Sequence, residues 1–341
     1  MSYTPINKST DYFNTKLYTG NGSTQSITGV GFQPDFTWLK SRSASTDHQL
    51  FDAVRGTGKS LISNNTDVEY SGSNLLTAFG TDGFSLGDHA PLNGNGVTFA
   101  SWNWKANGAG STNYDGSINT TVSVNTTSGF SIVKWTGNST AGETIGHGLG
   151  VTPKVVIIKR LNGAAQSWIC KFPTATDGYL ALDTTDAISA SSGWLPVSNS
   201  LITLANNWSA YNNNGNDFIA YCFADVQGFS KFGSYVATGT ADSAFCYTGF
   251  SPAFVMIKRT DGGDSWVTID NKRDTYNQTS KTLHADLADA EIDRQSLDFL
   301  SNGFKIRAGN GLINGTGNNH TYMAFAEAPL VGTNNVPANA R

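Results

Sequence analysis

The chain has 341 residues, of which 22 are Lys or Arg and 26 are Asp or Glu, for a formal charge of −4. So small an acidic balance speaks against broad phosphate-backbone binding, and nucleic acid is not an expected partner. Charged residues make up only 14% of the chain while Gly alone contributes 37 residues; this disfavours long helices and favours turns and strands.

The N-terminus, Met1 to Lys16, has no basic region followed by an apolar run, so no secretory signal is expected. The longest apolar stretches, Val155 to Ile158 and Phe218 to Ala224, are too short for a membrane span, and no membrane insertion is expected. Cys170, Cys222 and Cys246 are odd in number and scattered. They predict neither a disulfide framework nor a zinc knuckle, and they suit synthesis in a reducing compartment.

In chain order, a first strand is predicted at Lys16-Leu17-Tyr18-Thr19-Gly20-Asn21. A second follows in Gly31-Phe32-Gln33-Pro34-Asp35-Phe36-Thr37-Trp38-Leu39-Lys40. Pro34 suits a strand entrance because it cannot donate to a ladder. Alternation places Phe36 and Trp38 on one face and ends with Lys40 near solvent. The turn Asn93-Gly94-Asn95-Gly96 then precedes a closing strand, Thr98-Phe99-Ala100-Ser101-Trp102.

The same signals return at Lys134-Trp135-Thr136-Gly137-Asn138, at Pro153 to Lys159, at the Asn212–Asn216 turn and at Phe218-Ile219-Ala220-Tyr221-Cys222. They return again at Tyr235-Val236-Ala237-Thr238-Gly239, at Pro252 to Lys258, at Gly315 to Asn319 and at Tyr322-Met323-Ala324-Phe325-Ala326. The Pro-to-Lys interval is 6 each time (40−34, 159−153, 258−252), and Pro to the Ala of the closing strand is 66, 67 and 72 (100−34, 220−153, 324−252). Near-equal spacing of this kind marks an internal repeat.

Short strands bounded by turn signals predict an all-β fold of three tandem β-sandwich, jelly-roll-like repeats. The expected boundaries are 1–107 for repeat 1, a Gly/Ser/Thr/Asn-rich linker at 108–127, 128–227 for repeat 2, 228–330 for repeat 3 and a polar tail at 331–341. Only Leu283 to Ile292 reads as helical, and Asp286, Asp289 and Asp293 limit it to a small surface helix.

No enzymatic constellation stands out. Arg55-Gly56-Thr57-Gly58-Lys59-Ser60 resembles a phosphate loop but has Ala53 where the pattern requires Gly. The repeat explains it instead, since Lys59-Ser60-Leu61 corresponds to the strand start Lys281-Thr282-Leu283. His48, His89, His147, His284 and His320 form no HxH or HxxxH pair, so no metal is expected. No nucleophile elbow is present, and no carboxylate pair for glycoside hydrolysis can be singled out. No cofactor is expected. The Asn-x-Ser/Thr triplets, such as Asn138-Ser139-Thr140, follow from composition.

Trp194, Trp208 and Tyr211 lie among Asn, Ser and Gly in the most divergent repeat. Aromatics so placed are candidate glycan contacts, and the competing reading is core packing.

The runs Tyr12-Phe13-Asn14-Thr15-Lys16-Leu17-Tyr18-Thr19-Gly20 and Gly29 to Ser43, Asp47-His48-Gln49-Leu50-Phe51-Asp52-Ala53-Val54-Arg55-Gly56, Asp82 to Gly87, Ala100-Ser101-Trp102-Asn103-Trp104-Lys105-Ala106 and Ala324 to Gly332 resemble a family of repeat-containing, tail-fibre-like virion proteins of marine tailed bacteriophages. The resemblance covers repeats 1 and 3 well and repeat 2 loosely. It implies a non-enzymatic virion protein, made in the host cytoplasm, with other virion proteins of tail, fibre or capsid as partners. On this basis the expected role is a tail-fibre or adsorption component that recognises a host surface glycan or protein. The alternatives are a capsid or tail decoration protein and, third, a carbohydrate-active enzyme. A homo-oligomer and a monomer with internal threefold arrangement are both compatible with the repeats.

Overall fold

The computed structural model describes residues 3–174, 178–191, 194–307, 311–334 and 336–337. After a 3-10 turn at Ser9–Asp11, repeat 1 runs through β1 (Phe13–Thr19), β2 (Gln25–Thr28), β3 (Phe36–Ser41), β4 (Gln49–Asp52), β5 (Lys59–Ser60), β6 (Tyr70–Ser71), β7 (Leu76–Gly80), β8 (Gly83–Leu86), the single helical turn α1 (Ala90–Asn93) and β9 (Thr98–Trp104). The strands β1-β9-β3-β4 form one sheet and β2-β8-β7 the sheet facing it.

Next come β10 (Ser111–Asn113), β11 (Thr120–Asn125), β12 (Phe130–Thr136), β13 (Glu143–Gly146), β14 (Val155–Arg160), β15 (Ile169–Lys171), β16 (Gly178–Ala181), β17 (Ser189–Ala190), β18 (Leu201–Leu204) and β19 (Asp217–Phe223). Their large sheet is ordered β10-β11-β12-β19-β14-β15-β16-β17, with β13-β18 facing it. The 108–127 segment, expected as a linker, therefore holds two strands. β11 pairs with β12 from Thr121↔Lys134 to Asn125↔Phe130, because its Val122 and Val124 alternate with polar residues and offer an apolar face to repeat 2.

Repeat 3 comprises β20 (Ser230–Val236), β21 (Phe245–Tyr247), β22 (Phe250–Arg259), β23 (Val267–Asp270), β24 (Thr279–His284), β25 (Ile292–Leu300), β26 (Gly303–Ile306), the turn α2 (Gly311–Asn314) and β27 (Asn319–Pro329). Here β24 joins both layers into one curved sheet, β20-β27-β22-β23-β24-β25-β26-β21. The helix expected over Leu283–Ile292 does not form. Leu283 and His284 belong to β24, and Asp286 is held in a turn by accepting the Trp266 amide at 2.9 Å. In the tail, Val331 bridges Pro337, and the Thr333 amide donates to Asn7.

Strand register corrects one detail of the repeat. Lys40 pairs with Ala100, Ile158 with Ala220 and Val255 with Ala324, so the three alanines are not equivalent. The residues that pair with Phe36, Val155 and Phe254 are Trp104, Phe223 and Phe325. These three aromatic rings meet, with centroids 6.1 Å (Trp104–Phe223), 5.5 Å (Trp104–Phe325) and 5.7 Å (Phe223–Phe325) apart. They mark a pseudo-threefold axis.

The large sheet of each repeat thus has two buried faces. One packs on the facing strands of its own repeat, the small sheet in repeats 1 and 2 and the β25–β26 part of the curved sheet in repeat 3, as Leu39, Phe51, Phe84 and Leu86 do in repeat 1. The other joins a central core shared by all three repeats, where Trp102, Tyr221 and Met256 lie in one cluster. Every β3 residue is buried for this reason, as expected of a strand covered on both sides.

Equivalent hydrogen bonds close the ring. The ring nitrogens of His48, Trp168 and Trp266 meet the carbonyls of His284, Ile62 and Ala181 at 2.9, 2.8 and 2.9 Å, so each repeat reaches a neighbour. Backbone amides repeat the pattern: Glu69 to Leu161, Ile188 to Thr260 and Glu291 to Arg42. Because His48 Nδ1 accepts the Trp38 indole N–H at 2.8 Å, its Nε2 carries the proton and donates to His284.

Lys40, expected near solvent, is 1% exposed. Its ammonium donates to the carbonyls of Ser41 and, across the junction with repeat 3, Ala288. Lys258 likewise reaches Thr185 of repeat 2, and Lys159 donates to Gln166. The Asn/Gly turns also superimpose. Asn93, Asn212 and Asn314 accept from the amides of Asn21, Asn138 and Gly239. Three residues on, Gly96, Gly215 and Gly317 all have φ near +70 to +76°, which only Gly adopts cheaply.

Candidate functional site

The outer corner of repeat 2 carries the aromatic cluster. Trp194 and Tyr211 are fully buried and Trp208 is half-buried. The Trp194 indole donates to Gly178 at 2.6 Å, and the Tyr211 hydroxyl donates to Asn206 Oδ1 at 2.5 Å. Trp194 and Tyr211 therefore form the floor, and of the three expected contacts only Trp208 reaches the surface. Tyr179 on β16, absent from the sequence-based set, completes the site. Its ring lies 4.9 Å from Trp208 and 5.7 Å from Trp194.

Local geometry fixes Trp208. Asn206 Oδ1 accepts the Trp208 amide at 3.0 Å, an Asx turn. The Trp208 carbonyl then accepts from Tyr211 and Asn212, while Asn212 anchors the loop by donating to Thr140.

Two cavities flank the Tyr179–Trp208 pair. One, of about 370 Å³, is lined by both rings with Ala190, Ser191, Asn206 and Asn207. The other, of about 160 Å³, has both rings together with Gln166, Ser189, Thr184 and Asp186 among its lining residues. Among the described residues, the Tyr179 hydroxyl, the Trp208 indole N–H and the Asn207 amide have no protein hydrogen-bond partner, and they are free to meet a ligand. Ring faces bordered by amides and hydroxyls are chemically matched to a molecule with one apolar face and a hydroxylated rim.

Other features are structural. The Arg55–Ser60 segment leads into β5, where Lys59 lies 3.7 Å from Glu69. A depression of about 490 Å³ beside it is lined by Thr57–Lys59, Ser71–Ser73, Leu76 and Thr77, with no aromatic ring. His147, His284 and His320 are engaged with backbone groups, and burial lowers the pKa of each. His89 stacks on Tyr70. Among the described residues no three His, Cys, Asp or Glu side chains gather as a metal site, and no helix is long and apolar enough to cross a membrane.

No curated protein and no solved structure matches the chain. A family model does match, over residues 8–329, and so takes all three repeats as one unit. The chain belongs to the family described as a domain of unknown function, DUF7483.

Proposed function

We propose that the chain is a non-enzymatic recognition module of a bacteriophage virion, a tail-fibre or adsorption component whose repeat 2 binds a host surface glycan. The observation that carries the glycan reading is the open pair of cavities around Tyr179 and Trp208, set on a rigid floor of Trp194 and Tyr211. A site built on locked side chains loses little entropy when it binds. The commitment of His48, His147, His284 and His320 to structural hydrogen bonds supports a role without acid–base chemistry. The virion assignment rests on the sequence resemblance.

A second reading, a capsid or tail decoration protein, is favoured by the closed pseudo-threefold ring, a shape suited to a threefold position on a larger assembly. Immunogold labelling of intact virions separates the two. Label at the tail end, with host-cell binding lost in Trp208→Ala, supports recognition. Label over the whole capsid, with cell binding unchanged in Trp208→Ala, overturns it in favour of decoration.

A further inference from the structure

We infer that the Tyr179–Trp208 site takes an uncharged pyranose, a neutral sugar carrying neither carboxylate nor sulfate; this rests on the glycan-recognition reading above. Among the described residues, the lining of both cavities contains one charged side chain, the exposed Asp186, and no Lys or Arg. Asp186 accepts from Thr184 Oγ1 at 3.0 Å. A ligand carboxylate or sulfate there would face a like charge with no guanidinium or ammonium to receive it.

Two buried lysines next to the lining, Lys258 and Lys159, do not alter this, since neither lines a cavity. The Lys258 ammonium is held by the carbonyls of Thr185 and Arg259 at 3.0 and 2.8 Å, and the Lys159 ammonium by the carbonyl of the lining residue Gln166 at 2.6 Å. Arg259 is itself paired with Asp261 and Asp264. The Asp186 carboxylate, the Asn206 and Asn207 amides and the Ser189 and Ser191 hydroxyls can instead bond sugar hydroxyls, while the two rings receive the C–H face. Two cavities sharing one aromatic pair place adjoining sugar units on either side of it.

The test is binding of the full chain to an array of neutral, sialylated, uronate-containing and sulfated oligosaccharides, with Trp208→Ala, Tyr179→Ala and Asp186→Asn compared. Selective binding of neutral sugars, weakened about ten-fold or more by each alanine variant and reduced by Asp186→Asn, is the expected result. Binding of acidic glycans that Trp208→Ala abolishes and Asp186→Asn strengthens would overturn the neutral-sugar inference and leave glycan recognition standing. No glycan binding, or binding indifferent to both alanine variants, would overturn both. Because Trp208 is half-exposed at the surface, its variant is expected to fold, and an unchanged melting temperature checks this.

Discussion

Repeats 1 and 3 each bury an Asp–Arg pair in the central core, whereas repeat 2 has Phe172 at the corresponding position. Arg55 Nε donates to Asp52 Oδ2 and Arg273 Nε to Asp270 Oδ2, each at 2.5 Å, with both side chains of each pair fully buried. Each guanidinium also satisfies an equivalent carbonyl, Leu50 or Thr268. The carboxylates are then used by the neighbouring repeat: Tyr221 donates to Asp52 at 2.8 Å and the Trp102 indole to Asp270 at 3.0 Å. Burial alone would push the Asp270 pKa up, but the charge of Arg273 and its hydrogen bonds outweigh this and hold it below the ordinary value. Two repeats thus carry polar locks in the core. The third is apolar there and carries the aromatic pocket on its outer corner.

The largest effect that tests this contrast is loss of a lock. Arg273→Met leaves the Asp270 charge buried without its cation and is expected to cost about 3–5 kcal/mol, with Arg55→Met similar. Phe172→Leu, which only trades one buried apolar side chain for a smaller one at the equivalent place, should cost about 1–2 kcal/mol. Urea unfolding followed by Trp fluorescence measures both. Equal losses would mean that the pairs do not distinguish the repeats.

The three repeats do share the buried lysines, and these give a pH signature. Burial brings the pKa of Lys40, Lys159 and Lys258 down to about 8, against the pull of nearby aspartates, from an ordinary 10.5. Between these values the unfolded chain holds more protons than the folded one, so this contribution makes stability rise with pH above about 8. Burial also raises the thiols of Cys222 and Cys246 from 9.0 to about 12, and that of Cys170 well above 9.0. The unfolded thiols release protons first, which lowers stability above about pH 9, and the raised tyrosines Tyr18, Tyr221, Tyr235 and Tyr322 add to the fall above about 10. The melting temperature is expected to rise by about 2–4 °C from pH 7.5 to 9 and to fall beyond pH 10. A monotonic fall from pH 7.5 would refute the assignment of buried, charged lysines.

Much of this was legible in the sequence, with clear limits. The Pro-to-Lys interval located equivalent strands, and the Asn/Gly turns located the Asn93 and Asn212 anchors, while the third turn, read as Gly315 to Asn319, stopped one residue short of Asn314. Alanine was a poor guide in the closing strand because small residues recur on it, whereas the central aromatics Trp104, Phe223 and Phe325 set the true register. Counting from the Asn anchors aligns Tyr211 with Leu92 and Ile313, both fully buried. That alignment signals a core role for Tyr211 and an outer one for Trp208, which aligns with His89. Tyr179 carried no local signal, since it meets Trp208 only when β16 and the loop after β18 fold together. The burial of Lys40 was equally hidden, because its acceptor Ala288 lies in another repeat.

The smallest test concerns the junction between repeats 1 and 3. Repeats 1 and 2, and 2 and 3, follow one another directly along the chain, but repeat 3 reaches repeat 1 only through space, and closing so long a loop costs entropy. This junction has side-chain bonds beyond the shared ring-to-carbonyl set. Arg42 forks onto Glu291 at 3.0 and 2.8 Å, and Ser63 Oγ donates to the Ala285 carbonyl at 2.7 Å. The residue corresponding to Ser63 in repeat 2 is the buried Leu182, which has no such donor. Ser63→Ala should therefore cost about 1 kcal/mol, the loss of one buried hydrogen bond, and should raise amide exchange in β24 more than in β16. If both strands respond alike, the ring opens as a unit and the junction between repeats 1 and 3 is no more separable than the other two.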